Sequence, residues 1–304
     1  MNDDRNSPIR RPLNRMQTFT RILLTLSIAQ GAACCASQQS YLGFDRNEYP
    51  GDSTLSALRQ SFRYTSYWLN NPPGETQNTW TGKRSLLKQH GFGFLVLFNG
   101  RLDSELKRND PAAVGAMDGK AAIAAAAREG FGTNLLIFLD QEEGGRLLPE
   151  QAAYLFAWVD GVRSGGDRAG IYCSGVDVRD GNSTISTAQD ILEREAARAA
   201  STHKSAAPGA DPQKLALWVA NDQCPPSPGC TETRNSPLAG LPLFHSNDVV
   251  VWQYAQSPRR TRFSRACPKN YDTDGNCYAP GLAHSAATFV DLDVSDADDP
   301  SEAQ

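Results

Sequence analysis

Apolar residues along this chain gather into eight short runs, at 41–44, 62–68, 94–98, 135–139, 169–173, 215–220, 249–254 and 288–292. Most are continuously apolar, the pattern of strands covered on both faces. Between them lie stretches of helical spacing at 53–60, 85–90, 120–129, 149–164 and 187–203, several rich in Ala. Strand and helix in alternation predict parallel strands joined by right-handed crossovers. Eight such units over residues 41–294 predict an α/β fold, a single (β/α)8 TIM-type barrel. The competing architecture is an open doubly wound sheet. The Gly-rich phosphate turn of that fold is missing after the first run, where Phe44-Asp45-Arg46-Asn47 follows.

The polar stretches are also patterned. Long Pro-, Gly- or Asn-rich segments at 70–82, 223–241 and 256–281 fall at βα-loop positions, where barrels build their sites. From residue 295 to 304 the chain is acidic, with Asp296, Asp298, Asp299 and Glu302, and reads as a disordered tail.

Several runs end in polar residues. The first ends in Asp45, the fourth in Asp140-Gln141-Glu142-Glu143, the fifth in Tyr172-Cys173-Ser174 and the eighth in Asp291-Leu292-Asp293. Strand side chains alternate faces, so Asp140 and Glu142 share one face and Glu143 points the other way. Gly43 and Asp45 share parity, so a lumenal Gly43 leaves space beneath Asp45. Asp291 and Asp293 likewise share a face. Carboxylates gathered at a barrel mouth raise at least one another's pKa. A protonated acid beside an ionised one is the equipment of glycoside hydrolysis. The bland alternative is that strand-end acids cap helices or bind loop amides. Several of them in register favour a site. Tyr67, Tyr172, Trp218, Trp252 and Tyr254 accompany the acids and suit the faces of sugar rings; core packing is the alternative for each.

Composition narrows the function. Thirty basic and 34 acidic residues leave a net charge of −4 without a basic block, which argues against nucleic acid as partner. Residues 1–21 carry Arg5, Arg10, Arg11, Arg15 and Arg21, and an apolar or small stretch follows to Ala33. This reads as a secretory signal peptide over 1–36. The stretch is too short for a membrane span, which needs roughly 20 residues. Arg10-Arg11 loosely fits a twin-arginine signal, and Gly31-Ala32-Ala33-Cys34 loosely fits a lipid-anchoring site at Cys34. The expected location is secreted, periplasmic or cell-envelope.

Seven cysteines agree with export. Cys173 sits in an apolar run as a buried thiol. Cys224 and Cys230 bracket one short loop, Cys267 and Cys277 another, and both read as local disulfides. A four-Cys metal site is the alternative, but C-x5-C and C-x9-C are poor spacings for zinc. No metal and no cofactor is expected. Asp272-Thr273-Asp274-Gly275-Asn276 resembles part of a calcium loop without its closing Glu. The four histidines, His90, His203, His245 and His284, are dispersed, and no Ser nucleophile elbow is present. Asn182-Ser183-Thr184 is a glycosylation sequon.

Seven short motifs occur in order: Gly43-Phe44-Asp45, Phe62-Arg63-Tyr64-Thr65-Ser66-Tyr67, Asp140-Gln141-Glu142, Gly170-Ile171-Tyr172-Cys173-Ser174, Trp218-Val219-Ala220, Val251-Trp252-Gln253-Tyr254 and Val290-Asp291-Leu292-Asp293. The series resembles a glycoside-hydrolase-like domain family of unknown function known from a secreted mycobacterial envelope protein. More distantly it is similar to the family 25 lysozymes. That resemblance implies a barrel acting on peptidoglycan. It implies Glu142 as proton donor, Asp140 as the charge-stabilising partner, and Asp45 and Asp291 as substrate-positioning acids. Three readings follow: a monomeric glycan hydrolase acting on cell-wall, peptidoglycan-type polysaccharide, a non-catalytic envelope-glycan binding module, or a structural envelope protein whose acids only satisfy loops.

Overall fold

The computed structural model describes residues 40–202, 214–221, 248–256 and 290–302. Its strands are β1 (Tyr41–Asp45), β2 (Tyr64–Trp68), β3 (Gly93–Asn99), β4 (Leu136–Gln141), β5 (Arg168–Ser174), β6 (Val178–Asp180), β7 (Ser183–Ile185), β8 (Ala216–Ala220), β9 (Val249–Ala255) and β10 (Asp291–Ser295). Its α-helices are α1 (Leu55–Ser61), α2 (Arg84–Gln89), α3 (Asp103–Leu106), α4 (Pro111–Arg128), α5 (Pro149–Ser164) and α6 (Thr187–Thr202). Eight strands close into a barrel in the order β1-β10-β9-β8-β5-β4-β3-β2, and β6 and β7 form a separate hairpin.

One strand departs from an all-parallel barrel. β10 runs antiparallel to both of its neighbours, β1 and β9. It also begins later than the apolar run suggested, at Asp291 instead of residue 288. The physical reason lies in the connection. A parallel return needs a crossover, usually a helix, whereas an antiparallel strand can start at the end where its predecessor stops. Residues 256–281 carry no helical periodicity to supply a crossover. The consequence for the site is direct: Asp291 pairs with Asp45 at the mouth, and Ser295 pairs with Tyr41 at the opposite end.

The lumen is filled by side chains matched to glycines. A Cβ on Gly43 would lie 1.9 Å from Cε2 of Tyr64, so the space below Asp45 holds the Tyr64 ring. Gly170 makes room for Phe138 in the same way, and Phe138 packs edge-on against Trp218 at 5.8 Å. Outside the barrel, α4 and α5 meet closely because Gly115 and Gly119 lie against the Tyr154 and Trp158 carbonyls. Helix α4 starts nine residues before the apolar periodicity does. Asp110 caps it by accepting from the Ala112 and Ala113 N–H groups, and Pro111 occupies its first turn.

Residues 296–302, read from their acidity as a disordered tail, are instead built into the end of the barrel opposite the mouth. The Ser301 carbonyl accepts from Leu136 N–H, its N–H donates to the Phe94 carbonyl, and its Oγ accepts from Val96 N–H. Asp299 accepts from Phe94 N–H, and Glu302 pairs with Arg84 and Lys88. Acidity alone misled because Asp299 finds backbone donors and Glu302 finds two cations. Among the described residues no helix is long and apolar enough to cross a membrane. Residues 1–36, Cys224, Cys230, Cys267 and Cys277 lie outside the described residues, as do His203, His245, His284 and the 272–276 loop.

Candidate active site

β4 delivers the first carboxyl pair. Asp140 closes the apolar run Leu136–Leu139 and is 3% exposed. No N–H or hydroxyl donor reaches either of its carboxylate oxygens among the described residues. The neighbour of its buried carboxyl is Glu142, two residues on and on the same face. Two carboxylates in contact need a shared proton. Burial, then the charge of Glu142, holds Asp140 well above the ordinary carboxylate range. Glu142 is also raised by burial, and the hydrogen bond from Asp140 pulls it partly back. Asp140 is therefore the member that keeps the proton in the resting site. Glu142 is the member that meets solvent, and it lines a cavity of about 360 Å³ together with Tyr172, Ser174, Val176, Val178 and Gln256. Glu143 faces away, where its carboxylate accepts from the Asp103 N–H at 2.8 Å and from Gln151 at 2.6 Å.

β1 and β10 deliver the second pair. Asp45 ends β1 at 9% exposed, and Asp293, two residues into β10 from the mouth, is fully buried. Trp218 Nε1 donates to Asp293 Oδ1 at 3.0 Å. Burial, then the charge of Asp45, holds Asp293 well above the usual range. Asp45 is pushed up to about 6 by burial and restrained by hydrogen bonds from Gln253 and Asp293, while Glu142 raises it further. The proton of this pair thus sits on Asp293 and Asp45 is its acceptor. The turn after β1 is held by Ser66 Oγ and Trp68 Nε1, which both donate to the Arg46 carbonyl, at 3.3 and 3.0 Å.

Gln253 on β9 fixes the polarity of this arrangement. Its Nε2 donates to Asp45 Oδ2 at 2.7 Å and, more weakly, to Asp291 Oδ2 at 3.4 Å. Its Oε1 accepts from Tyr172 O–H at 2.9 Å and from Gln256 Nε2 at 3.1 Å. Flipping this amide would set its oxygen against two carboxylates, so the orientation is determined.

The structure brings together Asp45, Asp140, Glu142, Asp291, Tyr172 and Trp218. It does not bring all the other aromatic candidates with them. Tyr67 is on the opposite face of β2 from Tyr64, its hydroxyl donates to Glu129, and its ring packs on Trp80, Phe94 and Phe131. Its surroundings are the helix layer, not the mouth. Trp252 pairs in register with Val219, on the face opposite Gln253, and donates from Nε1 to the Asn221 carbonyl. Tyr254 falls where the pairing of β9 with β10 skips a residue, and its ring packs on Trp252 at 5.7 Å. The side chain that β9 contributes is Gln253, which lies between them. Gln253 and Asp293 are the two members of the cluster that the sequence reading left unassigned. Parity pointed to Asp293, which shares a face with Asp291, whereas Gln253 is found only by its register with Asp293 across the β9–β10 pairing.

Comparison with known proteins follows the fold. No curated protein matches the chain significantly. An uncharacterized B. stearothermophilus protein of known crystal structure superposes with a TM-score of 0.51 at 17% identity, over 84% of this chain and 95% of that one. The Mycobacterium tuberculosis Tat-secreted protein Rv2525c, solved with L-tartrate, superposes at 0.45 with 12% identity, over 84% and 95%. A family 25 glycosyl hydrolase from Bacillus anthracis superposes at 0.41 with 11% identity, over 84% and 88%. The family profile described as the Rv2525c-like, glycoside hydrolase-like domain matches residues 59–224, which include Asp140, Glu142, Tyr172 and Trp218. That span is more than half of the 304 residues, and the chain belongs to the Rv2525c-like glycoside hydrolase-like family.

Proposed function

We propose that this protein is an exported glycan hydrolase acting on cell-wall, peptidoglycan-type polysaccharide. The observation that carries the reading is the Asp140–Glu142 pair, with one member buried and donor-less and the other lining an open cavity. Of the pair, Glu142 is the member that faces the cavity where a glycosidic oxygen would sit. In this reading it delivers the proton that the pair shares to the leaving oxygen as the glycosidic C–O bond breaks, water adds to the anomeric carbon, and the proton which that water loses returns to the pair. A sugar ring over the cavity would displace water and push Glu142 further toward its protonated form. Asp45, the acceptor of the second pair, stabilises positive charge developing on the sugar. Asp291 at the rim and Tyr172 on the cavity wall position the ring, and Trp218 acts from below by holding Asp293. No metal or cofactor is used in this scheme.

Export and anchoring belong to the same proposal. Residues 1–36 would be removed as a signal peptide, or Cys34 would carry a lipid, and Cys224–Cys230 and Cys267–Cys277 would be disulfides. Non-reducing peptide mapping of protein from the envelope fraction checks all three. The functional test is release of reducing ends from purified peptidoglycan by the wild type and by Glu142→Gln. Cleavage by the wild type and its loss in the variant support the reading. A wild type that binds peptidoglycan without cleaving it would make the protein a glycan-binding module instead.

A further inference from the structure

The β6–β7 hairpin is poorly explained by folding alone. Each strand has three residues, and all six side chains except Ile185 are wholly or partly exposed. A two-stranded hairpin of this length is marginal in water, and ordering it costs conformational entropy that its little buried surface does not offset. Yet it is held firmly. Arg146, four residues beyond Glu142, donates from Nε and Nη2 to Asp180 Oδ2 at 2.9 and 2.8 Å. Its Nη1 donates to Asp190 at 2.9 Å. Asp190 is 1% exposed and accepts in addition from Leu147 N–H and Arg194 Nε, at 2.9 and 2.8 Å. A guanidinium gripped by a buried, fully paired carboxylate is a rigid anchor, and the hairpin hangs from its other side. Gly145, with a φ of +93°, brings the backbone close beneath Val178, so that a Cβ there would lie 3.0 Å from Val178 Cγ2.

The side chain set in place by these contacts is apolar and open: Val178 is 40% exposed and lines the same cavity as Glu142. Val176 and Ala220 extend that apolar wall, while Glu142, Tyr172 and Ser174 carry polar groups. A pyranose unit has this two-sided character, with hydroxyls around its edge and C–H groups on its faces. Resting on the hydrolase reading above, we propose that the β6–β7 hairpin is a sugar-binding wall of the cavity. Val178 contacts the C–H face of a pyranose unit, and Arg146 is the positioning residue that holds the wall through Asp180.

The test uses chitotetraose as probe in the full chain. Binding is measured by calorimetry in the Glu142→Gln background, so that no turnover interferes. Val178→Ser is expected to weaken affinity about 5- to 10-fold, from loss of part of a buried valine's transfer free energy. Asp180→Asn releases the hairpin but leaves Arg146 on Asp190, and is expected to weaken binding at least threefold with an unchanged thermal midpoint. With Glu142 intact, both variants should raise KM by similar factors and leave kcat within twofold, a split that a merely destabilising change would not give. Val178→Ser binding within twofold of its parent would overturn the sugar-binding wall. Parent-like binding by Asp180→Asn would overturn the positioning role. Either result leaves the hydrolase reading standing if the native protein cleaves. A Glu142→Gln parent that does not bind the probe, together with a native protein that does not cleave peptidoglycan, overturns both.

Discussion

The two ends of the barrel use the same residue types to opposite effect. At the end away from the mouth, Asp299 accepts from the Phe94 and Glu302 N–H groups, and Glu302 meets two cations. At the mouth, among the described residues, Asp140 has no N–H or hydroxyl donor on either oxygen, and Asp293 has one on only one oxygen. Satisfied acids stabilise a fold, whereas acids facing each other in a buried place cost stability and keep protons ready for chemistry. The difference teaches that acidity in a sequence has no fixed structural meaning until its partners are known.

The largest expected effect breaks the comparison from the mouth. Glu142→Gln should lower the rate of peptidoglycan cleavage by about 10²–10⁴, the usual contribution of a positioned general acid, with stability little changed. Measured reducing-end release within about tenfold of wild type would remove Glu142 from the mechanism.

The opposite end is tested by a stop after Ala297. Removing 298–304 leaves the N–H groups of Phe94, Val96 and Leu136 without their partners. At about 1 kcal/mol for each, the loss should be roughly 3 kcal/mol in urea unfolding, without loss of the cavity's chemistry in the folded fraction. Unchanged stability would mean that water replaces the tail at no cost.

Next in size is the pH dependence, where the mouth acids and Glu302 should differ in sign, while Asp299, raised by burial, follows the mouth acids. Asp45, Asp140 and Asp293 are raised in the folded state. Their contribution favours folding fully below about pH 4, the unfolded value. It is lost as pH rises through about 6 for Asp45, and as pH rises well beyond the ordinary carboxylate range for the other two. Glu302 behaves conversely. Burial raises it, but Lys88 and Arg84 lower it overall, so its stabilisation is present above the unfolded value and lost as pH falls. Asp140→Asn mimics the protonated acid and should exceed wild type in stability at pH 8 by at least about 1 kcal/mol, the worth of one pKa unit. The gap should close near pH 4. Parallel stability curves for the two proteins would contradict the shared-proton description.

The smallest effect sharpens the boundary of the site. Tyr67→Phe removes the hydroxyl that donates to Glu129 in the helix layer. It should cost about 1 kcal/mol of stability and leave KM for peptidoglycan fragments unchanged. A raised KM would return Tyr67 to the mouth.

Much of the fold was legible because burial on both faces leaves a readable mark. Helix α5 was read at its observed bounds, 149–164, since Pro149 marks its start and Gly165 its end. Strand alternation correctly sent Glu143 away from Glu142, and Gly43 correctly implied space beneath Asp45. Alternation failed where its phase was unknown. Nothing in residues 62–68 says whether Tyr64 or Tyr67 faces the lumen, and in β9 two skipped pairings disturb the count. The hairpin has a local signal, Asp180-Gly181-Asn182, with Gly181 at a φ of +61°, of which the sequence reading uses only Asn182, as the start of a sequon. The grip of Arg146 on it joins residues 34 and 44 apart, a distance no periodicity spans.

By itself, the sequence determined the alternation of strands and helices, the barrel, and which acids share a strand face, because these depend on local periodicity and on the steric need for glycine. Only the tertiary structure decided that β10 is reversed, that Asp293 and Gln253 join Asp45, and that Asp299 and Glu302 meet backbone donors and cations while acids of the mouth face one another. These are facts about partners brought together from distant parts of the chain. A carboxyl group's charge, and hence its role, is set by burial and by neighbours that only closure of the barrel supplies.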